Sequence, residues 1–244
     1  MTDKANLQEK LKLIRDFCNR NSDQQNIEKY SRYFKEEYNG YGIGQAAFEG
    51  QRDKWIEEWK TDMTLNDYLD LGDELVKCGK YEEISFAIVF VKSQRDNYNE
   101  DTFNRIGKWF DYGIDNWANT DVLCMLVLPH FIINEVIDYK KFGTWIDSNS
   151  EWKRRTVPVT LNELLKHHGV DSNVIFELID PLMLDKSQYV QKGIGTLLRS
   201  LWKKEPGITE DFLLKWKDQC GRLIVQYATE KMDKEYRKKF RKVK

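Results

Sequence analysis

The chain has 244 residues, 41% of them hydrophobic and 32% charged, with a formal net charge of −1. This furnishes a sizeable core without disulfide or metal staples, and the near-neutral balance does not mark the whole chain as a polyanion binder. Four scattered cysteines, Cys18, Cys78, Cys124 and Cys220, form no Cys-x-x-Cys pair and read as free thiols of a reducing compartment.

From the first residues onward, apolar side chains recur at intervals of three and four, and strand signals are nearly absent. Leu7, Leu11, Ile14 and Cys18 make one stripe, and Phe48, Arg52, Trp55 and Trp59 keep the same spacing. The opening MTDKANLQEKLKLI lacks the apolar region of a secretory signal, and no later run reaches the roughly 20 residues of a membrane span. A cytoplasmic protein without a membrane partner is expected. Tyr38-Asn39-Gly40-Tyr41-Gly42-Ile43-Gly44 is the glycine-rich loop of the chain. No strand precedes it and no Lys-Ser/Thr follows, which argues against a nucleotide phosphate loop.

Further along, Thr64, Asp115, Ser172 and Thr209 are candidate helix caps. Asn39-Gly40, Cys78-Gly79, Tyr112-Gly113, His168-Gly169 and Pro206-Gly207 read as helix boundaries. The apolar run Val122–Ile133 is expected as one buried core helix despite Pro129, and Val174, Ile175, Leu178, Ile179 and Leu182 make a third stripe. The result is roughly a dozen helices with short connections. Paired helices repeating at about 40 residues predict an all-α, HEAT-like helical-repeat solenoid, an α-α superhelix, with a large globular bundle as the competing architecture. No linker interrupts the pattern, so a single repeat domain is expected over residues 1–244. It closes on a basic C-terminal helix or tail at 231–244, whose eight Lys/Arg and two Asp/Glu oppose the acidic body and read either as a contact for phosphates or as a solvated, partly frayed helix end.

The chemistry is concentrated on two segments. Trp117 and Asp121 are four residues apart at the start of an apolar helix, so indole and carboxylate share a face. Asn149-Ser150-Glu151-Trp152-Lys153-Arg154-Arg155 opens a later helix with a basic cluster. Each has a plain structural explanation: Asp121 complements the helix dipole, Trp117 packs in a core, and Arg155 pairs with Glu151 one turn back. His130, His167 and His168 are not spaced as a metal set, and no Gly-x-Ser-x-Gly elbow occurs, so neither a metal nor a covalent serine is expected. Trp55, Trp59, Trp145, Trp202 and Trp216 are assigned to packing.

Taken in order, four segments resemble the alkylpurine DNA glycosylases of the AlkD type, in the DNA alkylation repair family of HEAT-like repeats. They are Ser31-Arg32-Tyr33-Phe34-Lys35 before Tyr41-Gly42-Ile43, Asp115-Asn116-Trp117-Ala118-Asn119-Thr120-Asp121, Trp145-Ile146 leading into Trp152-Lys153-Arg154-Arg155, and Tyr189-Val190-Gln191-Lys192-Gly193-Ile194-Gly195. The resemblance covers about residues 28 to 216. It implies a concave face that captures duplex DNA, with Asp121 as the catalytic carboxylate, Trp117 as an aromatic wall against the lesion and Arg155 as a phosphate-contacting cation. It also implies Tyr33 as a cleft residue. Lys153, Arg154, Lys192 and Arg199 are candidate DNA-backbone contacts on the same side of the last repeats, each of which taken alone reads as part of a solvated face. The expected form is a monomer without cofactor or metal, acting on double-stranded DNA that contains alkylated bases. Thr196 stands where the family has another aromatic, Gly44 where it has a polar Gln, and Ala46-Ala47-Phe48-Glu49 replaces a Pro-x-x-Arg stretch.

The implied reaction is hydrolysis of the N-glycosidic bond of an N3- or N7-alkylated purine without base flipping. Such a base is already cationic and leaves without protonation, so one carboxylate near C1′ suffices to stabilise charge developing on the sugar. A non-catalytic HEAT-like module binding nucleic acid or protein is the competing reading, motivated by Thr196, Gly44 and the acidic body.

Overall fold

The computed structural model describes residues 4–35 and 38–242, and among these the chain is helical with no strand. Two compact units are distinguished, Met1–Val127 and Leu128–Lys244. The first holds α1 (Lys4–Arg20), α2 (Gln24–Ser31), α3 (Gln45–Trp59), α4 (Leu65–Lys77), α5 (Tyr81–Ser93), α6 (Glu100–Tyr112) and α7 (Trp117–Leu126). The second holds α8 (Leu128–Ile133), α9 (Tyr139–Gly143), α10 (Glu151–His167), α11 (Ser172–Ile179), α12 (Gln188–Lys204), α13 (Pro206–Trp216) and α14 (Arg222–Ala228), then a 3-10 segment, Tyr236–Phe240.

The centre of the first unit is α5, buried continuously from Glu82 to Val91 and packed by α1, α3, α4 and α7. A helix apolar on all sides is stable only when surrounded. Phe86 is ringed by Phe17, Phe48, Trp55 and Phe90 at centroid distances of 4.2 to 6.1 Å, so the helices that carry the first two sequence stripes, α1 and α3, meet on α5. Burying each such ring contributes about 2 to 3 kcal/mol. Two acids break the apolar run at its head. Glu83, fully buried, is met by Arg15 at 3.2 Å and by the Tyr41 hydroxyl at 2.7 Å. Burial, then the negative Glu83 and Glu82, push the Cys18 thiol far above its ordinary range, which keeps it protonated and inert.

Several boundaries differ from the sequence expectation by one residue or more. Thr64 caps α4 in a full capping box with Asp67, but Asn116 rather than Asp115 caps α7, and Asp171 rather than Ser172 caps α11. Asn116 and Asp171 each immediately precede the first helical residue with a non-helical backbone, so that the side-chain oxygen reaches a free N–H of the first turn. Pro206-Gly207 is the expected boundary and opens α13, because Pro206 sits at the first position, where its missing N–H costs nothing; Thr209, a cap candidate, instead lies inside that helix. The Val122–Ile133 run is not one helix. Pro129 has no N–H to continue the ladder, and α7 ends at Leu126 before α8 begins at Leu128.

In the second unit α12 is central, packed by α10, α13 and α14. Its Gly193 and Gly195 are explained by that packing. A Cβ on Gly193 would lie 3.2 Å from the Pro158 ring of α10, and one on Gly195 would lie 2.7 Å from the Ile224 carbonyl oxygen of α14. Gly195→Ala is therefore expected to destabilise the protein by about 2 kcal/mol through overpacking against backbone. A fall in the urea midpoint at unchanged m-value is the measurement that checks it.

The basic tail is docked. Phe240 is fully buried, and Glu210 of α13 accepts from the Tyr236 hydroxyl, the Trp202 indole and the Lys239 ammonium. Val243 and Lys244 of the expected tail lie outside the described residues. Partial burial pulls the Glu210 pKa up, but these donors outweigh it and hold the carboxyl below its ordinary 4.5. A depressed carboxylate stabilises the fold above its unfolded pKa and ceases to do so as pH falls through the folded value. The tail is accordingly expected to loosen below about pH 4.5, seen as faster amide exchange at 236–240 ahead of global unfolding, and Glu210→Gln should loosen it at neutral pH.

Candidate functional site

The start of α7 is held onto α5 by a polar staple within the first unit. Asn119, with no solvent exposure, donates through its amide to the Tyr81 carbonyl at 3.2 Å and to Ser85 Oγ at 3.1 Å. Its backbone N–H donates to the Asn116 cap at 2.9 Å, and Thr120 Oγ1 donates to the Asn116 carbonyl at 2.7 Å. Cap and staple fix the first turn of α7, and with it Trp117, the first residue of the helix. Asp121 follows one turn on, half-buried.

Trp117 lines a pocket of about 350 Å³ whose walls are mostly aromatic. Tyr30, Tyr33, Phe34, Tyr38, Phe48 and Tyr81 complete the aromatic lining, with Ile43, Gln45, Glu82, Ser85 and Ala118. Phe34 sits 5.6 Å from the Trp117 ring at 32°, and Tyr38 lies 5.2 Å from Phe34 and 5.7 Å from Tyr81. Tyr33 is two-thirds exposed at the rim. A pocket of this size and lining suits a flat group, and its π-faces favour a cationic one.

The wall on the loop side exists because of one carboxylate. Glu82 accepts from the Tyr38 hydroxyl at 3.0 Å and from the backbone N–H groups of Tyr41 at 2.8 Å and Ile43 at 3.1 Å. Burial, then the Glu82 charge and hydrogen bond, raise the Tyr38 phenol far above its ordinary range, so it stays a donor. Gly42 turns the loop at φ +72°, where a Cβ would also strike the Asp23 carbonyl oxygen at 2.4 Å. Gly44 has no such steric reason, since a Cβ there meets nothing within 4 Å.

Of the residues singled out from sequence, the structure brings Trp117 and Tyr33 into one pocket and sets Asp121 one turn along the same helix. Phe34, Tyr38, Tyr81, Glu82 and Asn119 were not singled out as site residues. Tyr30, Phe34 and Tyr38 are spaced by four, and two acids heading the apolar run Ile84–Val91 mark a buried polar duty; those were the available signals.

The five sequence-predicted cations belong to the second unit. Arg155 on α10 donates through Nη1 to the Tyr189 carbonyl at 2.5 Å, and Tyr189 packs on buried Trp152 at 4.4 Å. Arg154 is committed to structure: its guanidinium bridges Asp185 through Nε at 2.6 Å and Nη2 at 3.2 Å, and Nη1 donates to the carbonyls of Ser148 and Asn149. The Lys153 ammonium lies 5.4 Å over the Trp145 ring and that of Lys192 lies 5.6 Å over Tyr189. Arg199 pairs with Glu230. Thr196 is half-buried on α12. Among the described residues no His, Cys, Asp or Glu cluster could hold a metal, and no helix is long and apolar enough to cross a membrane.

A family model for the DNA alkylation repair enzymes matches residues 14–232. No curated protein matches the chain significantly. Among solved structures, a predicted DNA alkylation repair enzyme from Enterococcus faecalis superposes with a TM-score of 0.70 at 15% identity, covering 87% of this chain and 97% of that one. AlkD2 from Streptococcus mutans gives 0.57 at 18% identity over 85% and 99% of the two chains. The protein smu.31 from Streptococcus mutans UA159 gives 0.58 at 18% identity over 86% and 98%. At these identities the superpositions establish a shared all-α helical-repeat fold.

Proposed function

Because the chain belongs to the DNA alkylation repair family, we propose that it is a DNA glycosylase that hydrolyses the N-glycosidic bond of cationic N3- or N7-alkylpurines in duplex DNA, without rotating the base out of the helix. The observation that carries this reading is Trp117 in the wall of an aromatic pocket with Asp121 one turn on. An indole beside a cationic lesion contributes a cation-π attraction of about 0.5 to 2 kcal/mol that an uncharged purine does not gain. Selectivity for charged lesions follows from that difference.

Asp121 stabilises positive charge developing at C1′ and positions the attacking water, so no general acid and no metal are required. Arg155, together with Lys153, Lys192 and Arg199, supplies cations for backbone phosphates, contacts that set register without reading sequence. Arg154 keeps a structural role through Asp185. Thr196 stands where the family pattern has an aromatic; a stacked aromatic is worth about 1 to 3 kcal/mol, enough to change lesion preference.

The test is incubation of the full chain with a duplex containing a single 7-methylguanine, followed by detection of released base and of the abasic strand. Release above the spontaneous rate supports the glycosylase. Salt-sensitive binding of the same duplex without release would assign the protein to the non-catalytic binding modules instead.

A further inference from the structure

The docked tail builds a second cleft that the glycosylase reading does not use. It lies within the second unit, between the 3-10 segment Tyr236–Phe240, α14 and the end of α13, with a volume of about 820 Å³. Its lining holds seven Lys/Arg and one carboxylate, Glu235. Glu235 is already paired with Lys238, and Lys217 has Asp218 at 3.6 Å. Among the described residues, Arg222, Lys234, Arg237, Arg241 and Lys242 form no ion pair with a carboxylate and, Arg237 apart, are exposed. Like charges are concentrated here although the whole chain is net −1. Holding them together costs repulsion, which the fold sustains by burying Phe240 and tying Tyr236 and Lys239 to Glu210.

We propose that this cleft is a binding site for nucleic-acid backbone phosphates, engaging DNA irrespective of lesion or sequence. Two features favour a phosphate backbone over a membrane surface. An interfacial segment needs an apolar face turned outward beside its cations, whereas Met232 and Phe240 are buried here and Tyr236 is bound to Glu210. The lining also presents no free aromatic for stacking on bases, which leaves charge as its means of recognition. Binding at the cleft is therefore electrostatic, and its strength falls steeply with salt. With the glycosylase reading it shares only the partner, DNA.

The experiment is fluorescence anisotropy of the full chain with a short undamaged duplex across a salt series. Substituting Lys234, Arg237, Arg241 and Lys242 together by Gln should weaken binding at least about tenfold at low salt. It should also reduce the slope of log K against log salt by about 0.9 for each cation that leaves a phosphate. A control with Lys12, Lys54, Lys60 and Lys77 changed to Gln, exposed lysines of the first unit that pair with their own helix neighbours, removes the same charge and should leave the slope unchanged. The double variant Arg237→Gln/Arg241→Gln gives the same reading with less perturbation should the fourfold variant not fold. Unchanged affinity and slope, or equal losses in the control, overturn the proposal. So does tail-dependent sedimentation with phosphatidylserine vesicles combined with unchanged duplex binding. Because the duplex carries no lesion, the result stands whether or not the protein releases base.

Discussion

Asp121→Asn is expected to lower single-turnover release of 7-methylguanine by about 100- to 1000-fold while leaving affinity for the same duplex within a factor of two or so. Asparagine keeps the shape of the side chain and one acceptor oxygen but removes the negative charge. A group that acts on charge appearing only in the transition state should cost rate and not binding when neutralised. The half-buried position one turn beyond Trp117 makes the substitution a mild structural change, which a melting curve checks. Trp117→Ala should behave differently. It takes a wall from the pocket and a neighbour from Phe34, and its loss should fall more heavily on cationic lesions than on a neutral base, by the cation-π increment of about 0.5 to 2 kcal/mol. If Asp121→Asn releases base as fast as the wild type, the carboxylate has no part in the chemistry.

Much of this arrangement was legible in the sequence where the physics is local. The three- and four-residue spacing of Leu11, Ile14 and Cys18, or of Trp55 and Trp59, records a buried helix face, and those residues are buried. Thr64 could be read as a cap because its partner Asp67 lies three residues on, in the same turn. Legibility fell where the outcome depended on distant segments. Asn119 sits in the run that carries Trp117 and Asp121, yet its amide is satisfied by Tyr81 and Ser85, more than thirty positions away, and nothing local distinguishes it from a surface asparagine. The same holds for Arg154, whose partner Asp185 follows thirty-one residues later, so that nothing local shows the guanidinium to be bridged to an acid. The glycines of Gln191-Lys192-Gly193-Ile194-Gly195 carried part of a family resemblance, and their physical basis is close approach of α10 and α14 to α12.

The largest effect on stability is expected at Glu82. In Glu82→Ala the N–H groups of Tyr41 and Ile43 and the hydroxyl of Tyr38 lose their acceptor together, in a region where water does not replace it easily. A buried donor left unsatisfied costs about 1 to 3 kcal/mol, so a loss of roughly 3 to 5 kcal/mol is expected even if the loop relaxes enough to rescue one of the three. Glu82→Gln separates charge from geometry. The amide oxygen can occupy the place of Oε1 and keep Tyr38 and Ile43, but the NH₂ then stands where Oε2 accepted from Tyr41, setting two donors face to face at a 2.8 Å contact. Glutamine should therefore recover part of the stability lost in alanine and still fall short of the wild type by about 2 kcal/mol. Urea denaturation orders the three proteins. Loss of loop order in both variants should also open the aromatic wall and reduce base release, whereas an alanine variant as stable as the wild type would mean that Glu82 does not hold this loop.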